Sequence, residues 1–114
     1  MKNVNENTPD VNTKPEANYI PNAKPFSFGR LVMTRGIADM MQEQGIFDGA
    51  ILPFLLRHAA GDWGDVCSED KIANDEATHN GQRVISAYMF CGQKIWVITE
   101  WDRSVTTILF PSEY

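Results

Sequence analysis

RVISAYMFCGQKIWVITEWDRSVTTILF, residues 83–110, is the stretch that decides the fold. Its residues change at period two, so that Val84, Ser86, Tyr88 and Phe90 fall on one face of a strand and Ile85, Ala87 and Met89 on the other. Cys91-Gly92-Gln93 reads as a tight turn and residues 94–100 as a second strand. Residues 101–103 read as another turn and 104–110 as a third strand. Turns this short join spatial neighbours, and the economical topology is an antiparallel meander.

Upstream of the meander the period changes to that of helices. Asn80-Gly81 is a left-handed terminator, and Ser68 is an N-cap followed by Glu69 and Asp70, acids at the positive end of a helix. The helix between them presents Ile72, Ala73 and Glu76 with little apolar surface, which predicts a position on the outside. Gly61-Asp62-Trp63-Gly64-Asp65 is a turn bracketed by glycines. A helix from Asp48 to Ala60, with Pro53 in its first turn, carries Ile51, Leu52, Leu55, Leu56 and Ala59 as a core-facing stripe. Thr34 caps a helix over residues 35–43 that turns Ile37, Met40 and Met41 inward; Gly36 weakens it and Gly45 stops it. A short strand over residues 28–33 comes first. The order β-α-α-α-β-β-β predicts a two-layer α+β domain: a three-stranded antiparallel meander plus the short N-terminal strand at an edge, covered on one face by three helices.

Residues 1–25 differ in character. They are rich in Asn, Glu, Lys and Pro and offer little apolar surface to repay ordering, which predicts a disordered arm before a single domain over residues 26–114. The formal net charge of the chain is −5. Nine acids against Arg57 and Lys71 give the stretch from Asp39 to Glu76 a balance of −7, while the arm and the stretch from residue 77 onward are each neutral. A field of that sign repels a nucleic-acid backbone and favours a protein partner with a basic surface. Cys67 and Cys91 stand apart, without zinc-site or disulfide spacing, as expected of reduced thiols in the cytoplasm. No stretch has the length and apolarity of a membrane span or secretory leader, and no cofactor-binding motif is legible.

The residues that invite a chemical reading cluster around two turns. His58 stands four residues before Asp62, close enough for its ring to meet the acidic turn as a general base oriented by a carboxylate. Asp62 and Asp65 with His58 also offer oxygen and nitrogen ligands, but no further ligand spacing supports a metal site, and none is assigned. Trp63 reads as a packing residue, with a binding-face role as its competitor. At the last turn, Glu100 as base, His58 as acid, Arg103 as anion clamp and Thr106 or Thr107 as hydroxyl donor make up the set that a metal-independent ribonuclease requires. The plainer reading of Glu100, Asp102 and Arg103 is a solvated turn with a local ion pair.

Several segments together carry a resemblance: residues 34–38 (TRGIA), 57–65 (RHAAGDWGD), 74–77 (NDEA), 83–88 (RVISAY) and 94–114 (KIWVITEWDRSVTTILFPSEY). Over residues 28–114 the chain resembles a family of short bacterial proteins commonly called plasmid-related proteins or proteins of unknown function, carried on plasmids and integrated elements. The resemblance implies association with a mobile genetic element and brings no catalytic assignment. Some members carry restriction-system labels, but the Gly-rich cofactor motif of a methyltransferase is absent from this sequence. The expectation is an interaction or regulatory protein whose binding face includes Asp62, Trp63, Asp65 and Asp102; the ribonuclease-like enzyme is the alternative. An open strand edge further offers a route to self-association.

Overall fold

The alternation in the C-terminal third folds as three consecutive antiparallel strands, β2 (Val84–Phe90), β3 (Gln93–Thr99) and β4 (Val105–Leu109). The computed structural model describes residues 19–114, so the expectation for residues 1–18 lies outside the described residues. β1 (Arg30–Met33) joins the far side of β4 in parallel, giving a mixed four-stranded sheet of order β1-β4-β3-β2. Three helices precede the meander: α1 (Arg35–Glu43), α2 (Leu52–Ala59), entered through a 3-10 turn at Asp48–Ile51, and α3 (Ser68–Asn80). The chain is thus an α+β protein, as the order of its elements implies.

One face of the sheet is the core face. Tyr88, Phe90, Ile95, Val97 and Ile108 point from it into Ile37, Met40 and Met41 of α1 and Ile51 and Leu55 at the start of α2. α3 departs from the expectation that all three helices cover this face. Its inward residues are Ser68, Asn74, Asp75, Ala77 and Thr78, mostly polar, and it lies along the outer edge of β2. The Asn74 amide accepts from the Ile85 N–H at 3.1 Å and donates to the Ile85 carbonyl at 2.8 Å, as a neighbouring strand would. One register position further on, the Ala87 N–H donates to the Trp63 carbonyl and its carbonyl accepts from the Asp65 N–H. Side chain and turn together close this part of the β2 edge to pairing.

Gly36, which weakens α1 on propensity, has a positional reason. The Glu113 carboxylate accepts from the Gly36 N–H at 3.2 Å and from the Thr34 hydroxyl at 2.6 Å, and a Cβ at position 36 would run into it. An acid from the far end of the chain thereby supplies the anionic cap that the first turn of α1 lacks. Donation from Thr34, and then from the Phe110 N–H, holds the Glu113 carboxyl below its ordinary range.

Residues 19–25, which the sequence reading placed with the arm, lie against α3. The Lys24 N–H donates to the Thr78 hydroxyl at 2.9 Å, and His79 Nε2 lies 2.8 Å from the Asn22 carbonyl. Ala23 and Phe26 pack on the small cluster formed by Trp63, Ala77 and Val84.

Candidate functional site

The turn after α2 is built inward. Trp63 is 1% exposed, so its indole packs and presents no binding face. Gly64, at φ +77°, brings the chain so close to β2 that a Cβ would overlap the Ala87 carbonyl oxygen, and glycine alone fits there. The Trp63 Nε1–H donates to Asp75 Oδ1 at 2.9 Å. Oδ2 of the same carboxylate accepts from the Tyr19 hydroxyl at 2.7 Å and the Asn22 N–H at 3.0 Å. Asp75 is 4% exposed, and three donors offset the cost of burying its charge. Sequence reading missed this residue, because an acid inside a polar helix carries no periodic signal of burial.

His58 does not meet the acidic turn. It is 0% exposed, with Nδ1 at 2.5 Å from the Ser86 hydroxyl and Nε2 at 2.9 Å from the Thr99 hydroxyl. Thr99 lies 2.7 Å from Thr106, whose hydroxyl donates to the Phe28 carbonyl at 2.8 Å. A carbonyl only accepts, and this fixes the direction of the chain as far as the His58 Nε2–H. Thr106 donates to Phe28, Thr99 to Thr106, His58 Nε2–H to Thr99, and Ser86 to the bare Nδ1. The last step holds for a neutral ring, whose two nitrogens are then both paired. Burial, reinforced by the Arg103 charge, pushes its pKa down to about 3. Neither its protonation nor its access suits a general acid for an outside substrate.

The other members of the expected catalytic set also serve the fold. Arg103, at φ +61°, turns its guanidinium back to donate to the carbonyls of Gln82 at 2.6 Å, Ala77 at 2.9 Å and Glu100 at 3.1 Å. It thereby ties the C-terminal end of α3, where a cation is favoured, to the β3–β4 turn. Glu100 pairs with Arg83 at 3.2 Å, and Thr106 is buried in the His58 chain. Asp102 accepts from the Ser104 N–H and hydroxyl, which lowers its pKa and shapes the turn. Asp62 is gripped by Arg57 through Nε at 2.7 Å, a bond that lowers the Asp62 carboxyl. The Asp62 carbonyl accepts from the Tyr88 phenol, whose pKa burial pushes up to about 12. His58 and Arg103 do flank one ring, that of Phe26, at 5.3 and 5.4 Å, so Phe26 fills the space that a shared substrate would need.

The opposite face of the sheet is less covered. A groove of about 560 Å³ runs between the start of α3 and the strands, floored by Ile85, Ala87 and Trp96. Ala87 and Trp96 are cross-strand partners, so the floor is set by the register. Asp65, Cys67 and Asp70, from the turn and the start of α3, also line it, with Arg83 and Lys94 from the strand side. Tyr114 folds back at one end, its ring 5.5 Å from Trp96 and its hydroxyl hydrogen-bonded to Arg83. Arg83 is neutralised by Glu100, whereas Asp65, Asp70 and Lys94 form no ion pair among the described residues. The groove therefore offers an apolar floor with one unpaired cation against two unpaired acids.

Of the residues expected at a binding face, only Asp65 lines this groove. Its floor lay in the sequence as the outward residues of β2 and β3, but an apolar outward face reads the same whether a ligand or a helix covers it. Cys67 and Cys91 are both exposed thiols. Among the described residues no three His, Cys, Asp or Glu side chains come together in a metal-binding group, and no helix is long and apolar enough to cross a membrane. No family model, curated protein or solved structure matches the chain.

Proposed function

We propose that the chain is an interaction protein of a mobile genetic element, and that it holds a partner protein in the groove above Ala87 and Trp96. The observation that carries this reading is a contrast in how polar groups are used. His58, Arg103, Thr106 and Glu100 are committed to internal bonds, while Asp65, Asp70 and Lys94, around an apolar floor, form no ion pair among the described residues. Two acids against one cation suit a segment that places an apolar side chain on the floor and a Lys or Arg beside α3. The tie to a mobile element rests on the resemblance of residues 28–114 to plasmid-related proteins; a cytoplasmic location belongs to the same proposal.

A photo-crosslinking side chain at Ala73, on the groove wall, tests the reading in bacterial cells, with the same probe at Asp39 on α1 as control. A single protein captured from position 73 and not 39, and lost when Asp70→Lys is added, is the expected result. Equal capture from both positions would refute it. The ribonuclease-like alternative draws on one observation, the approach of His58 and Arg103 to the same ring. It requires Phe26→Ala to release RNA cleavage that His58→Gln abolishes; cleavage that survives His58→Gln removes that alternative.

A further inference from the structure

The two edges of the sheet are finished differently. On β2 the Asn74 amide and the turn at Trp63 and Asp65 occupy the outward main-chain groups of Ile85 and Ala87. β1 ends the sheet on the other side. Its Arg30 N–H and the Thr34 N–H that follows it donate to the Ser104 and Ile108 carbonyls, so the alternation of a strand turns the main-chain groups of Leu31 and Met33 away from β4. Among the described residues these groups have no hydrogen-bond partner. Leu31 and Met33 are in register with Thr106 and Ile108 and so lie on the core face, yet Leu31 is 48% exposed. Beside Met33 a hollow of about 470 Å³ opens between β1 and α1, lined by the apolar Met33, Ala38, Met41 and Ile46, with Gln42 and Asp48 as polar members. Arg30 and Arg35, the only charges between residues 25 and 38, stand exposed at the two ends of the strand and form no ion pair among the described residues. The Glu113 carboxylate nearby is committed to Thr34, Gly36 and Phe110.

We infer that the β1 edge receives an extended, acidic segment of another protein, which joins the sheet as a further strand. Unpaired N–H and C=O groups alternating along an edge are matched by a second extended backbone, which sets the occupant's conformation. Register then sets its composition. The residue opposite Met33 turns toward the core face, over the hollow, and calls for an apolar side chain. Asp48 disfavours an acid at that position, so the acids belong at the two ends, beside Arg30 and Arg35. A short edge flanked by charge can serve merely to prevent pairing. The hollow under this one, with half-exposed Leu31 beside it, distinguishes an edge that takes a strand. Charge also separates the occupant from a second copy: two β1 edges paired with each other would bring the arginines of both copies together, whereas an acidic segment matches them. The edge lies across the sheet from the groove above Ala87 and Trp96, so this surface stands or falls independently of the partner-binding proposal.

Selection of random displayed peptides, about ten residues long, on the full chain supplies the probe, and amide NMR shifts locate it. The expected binders carry an apolar residue flanked by Asp or Glu, and the tightest of them shifts the Leu31 and Met33 amides together with that of Ile46. Leu31→Pro removes an outward N–H and leaves the ladder to β4 intact, as proline on an edge strand does. It is expected to weaken that peptide by about tenfold or more, while Glu76→Lys on α3 leaves it unchanged. Arg30→Glu combined with Arg35→Glu tests the charge without altering the main chain, and decides the matter should Leu31→Pro not fold. It is expected to cost a similar factor and to turn the selection toward basic peptides. An empty selection overturns the inference, and so do binders that shift Ile85 and Trp96 instead, or that the double arginine variant binds as tightly as the wild type. A peptide-free chain that sediments as a dimer, and that Leu31→Pro returns to monomer, assigns the edge to a second copy and overturns it likewise.

Discussion

The Trp63 indole and the Asp75 carboxylate meet at 2.9 Å, twelve residues apart, and the same carboxylate holds the Tyr19–Asn22 segment against α3. One acid thus joins the central turn, a helix and the entering chain. Asp75→Ala leaves the Trp63 N–H without an acceptor and frees the segment, an expected loss of about 2–4 kcal/mol. Asp75→Asn keeps an acceptor for the indole but turns an amide donor toward the Asn22 N–H, with a smaller expected loss of about 1–2 kcal/mol. Urea unfolding followed by tryptophan fluorescence checks the order. Equal stability of the two variants would mean that the Oδ2 bonds contribute nothing.

Arg103, unlike Asp75, reads as functional in the sequence and is placed structurally. Its planar fork reaches three carbonyls from a left-handed backbone position that L side chains adopt at a cost of about 1 kcal/mol. Arg103→Gly relieves that cost and removes the bonds, Arg103→Lys retains the charge and loses the fork. Both are expected to melt below the wild type, by about 1–3 kcal/mol, with the helical signal of α3 affected first. A more stable Arg103→Gly would show that the turn, and not the clamp, dominates.

These two residues mark where the sequence was legible and where it was not. Period-two alternation and the terminator at Asn80-Gly81 are local signals, and β2, β3, β4 and α3 lie where those signals put them. What α3 buries is not local: Asn74, Asp75 and Thr78 go inward because an edge strand and the entering segment present main-chain groups to them, and no hydrophobic period records that. His58 was misread for a related reason. Asp62 is near it in sequence, but its partners are hydroxyls on two strands, Ser86 of β2 and Thr99 of β3. A usable signal did exist: Ser86 lies on the same strand face as Val84, Tyr88 and Phe90, and a buried hydroxyl there calls for a polar partner from the helical layer.

The edge of β2 gives a third prediction. The Asn74 amide occupies both main-chain groups of Ile85, so Asn74→Ala leaves a buried donor and acceptor unpaired and opens a strand edge. The expected cost is about 1–3 kcal/mol, accompanied by concentration-dependent aggregation on warming. Asn74→Asp keeps the acceptor alone and should fall between the two. Light scattering during thermal melts reads the outcome, and an Asn74→Ala melt as clean and as high as that of the wild type would show the edge to be protected otherwise.

The buried imidazole predicts how stability depends on pH. His58 has an ordinary pKa of 6.5 when exposed and about 3 in the folded protein, so between these values the unfolded chain binds a proton that the folded one refuses. Its contribution is complete above pH 6.5 and is lost as the pH falls toward 3. The full span corresponds to roughly 4–5 kcal/mol, at about 1.36 kcal/mol for each tenfold change. Asp62, Asp102 and Glu113 have lowered pKa values in the fold, and their contributions disappear only as the pH falls below the ordinary carboxylate range. The interval from about pH 6.5 to 4.5 therefore isolates the histidine, and the wild type should lose about 2–3 kcal/mol across it. His58→Gln can still accept from Ser86 and donate to Thr99 but has nothing to titrate, so its stability should be lower at pH 7 and nearly flat over the same interval. Urea midpoints measured at half-unit pH steps decide the matter: parallel curves for the two proteins would mean that the ring is reached by protons in the folded state.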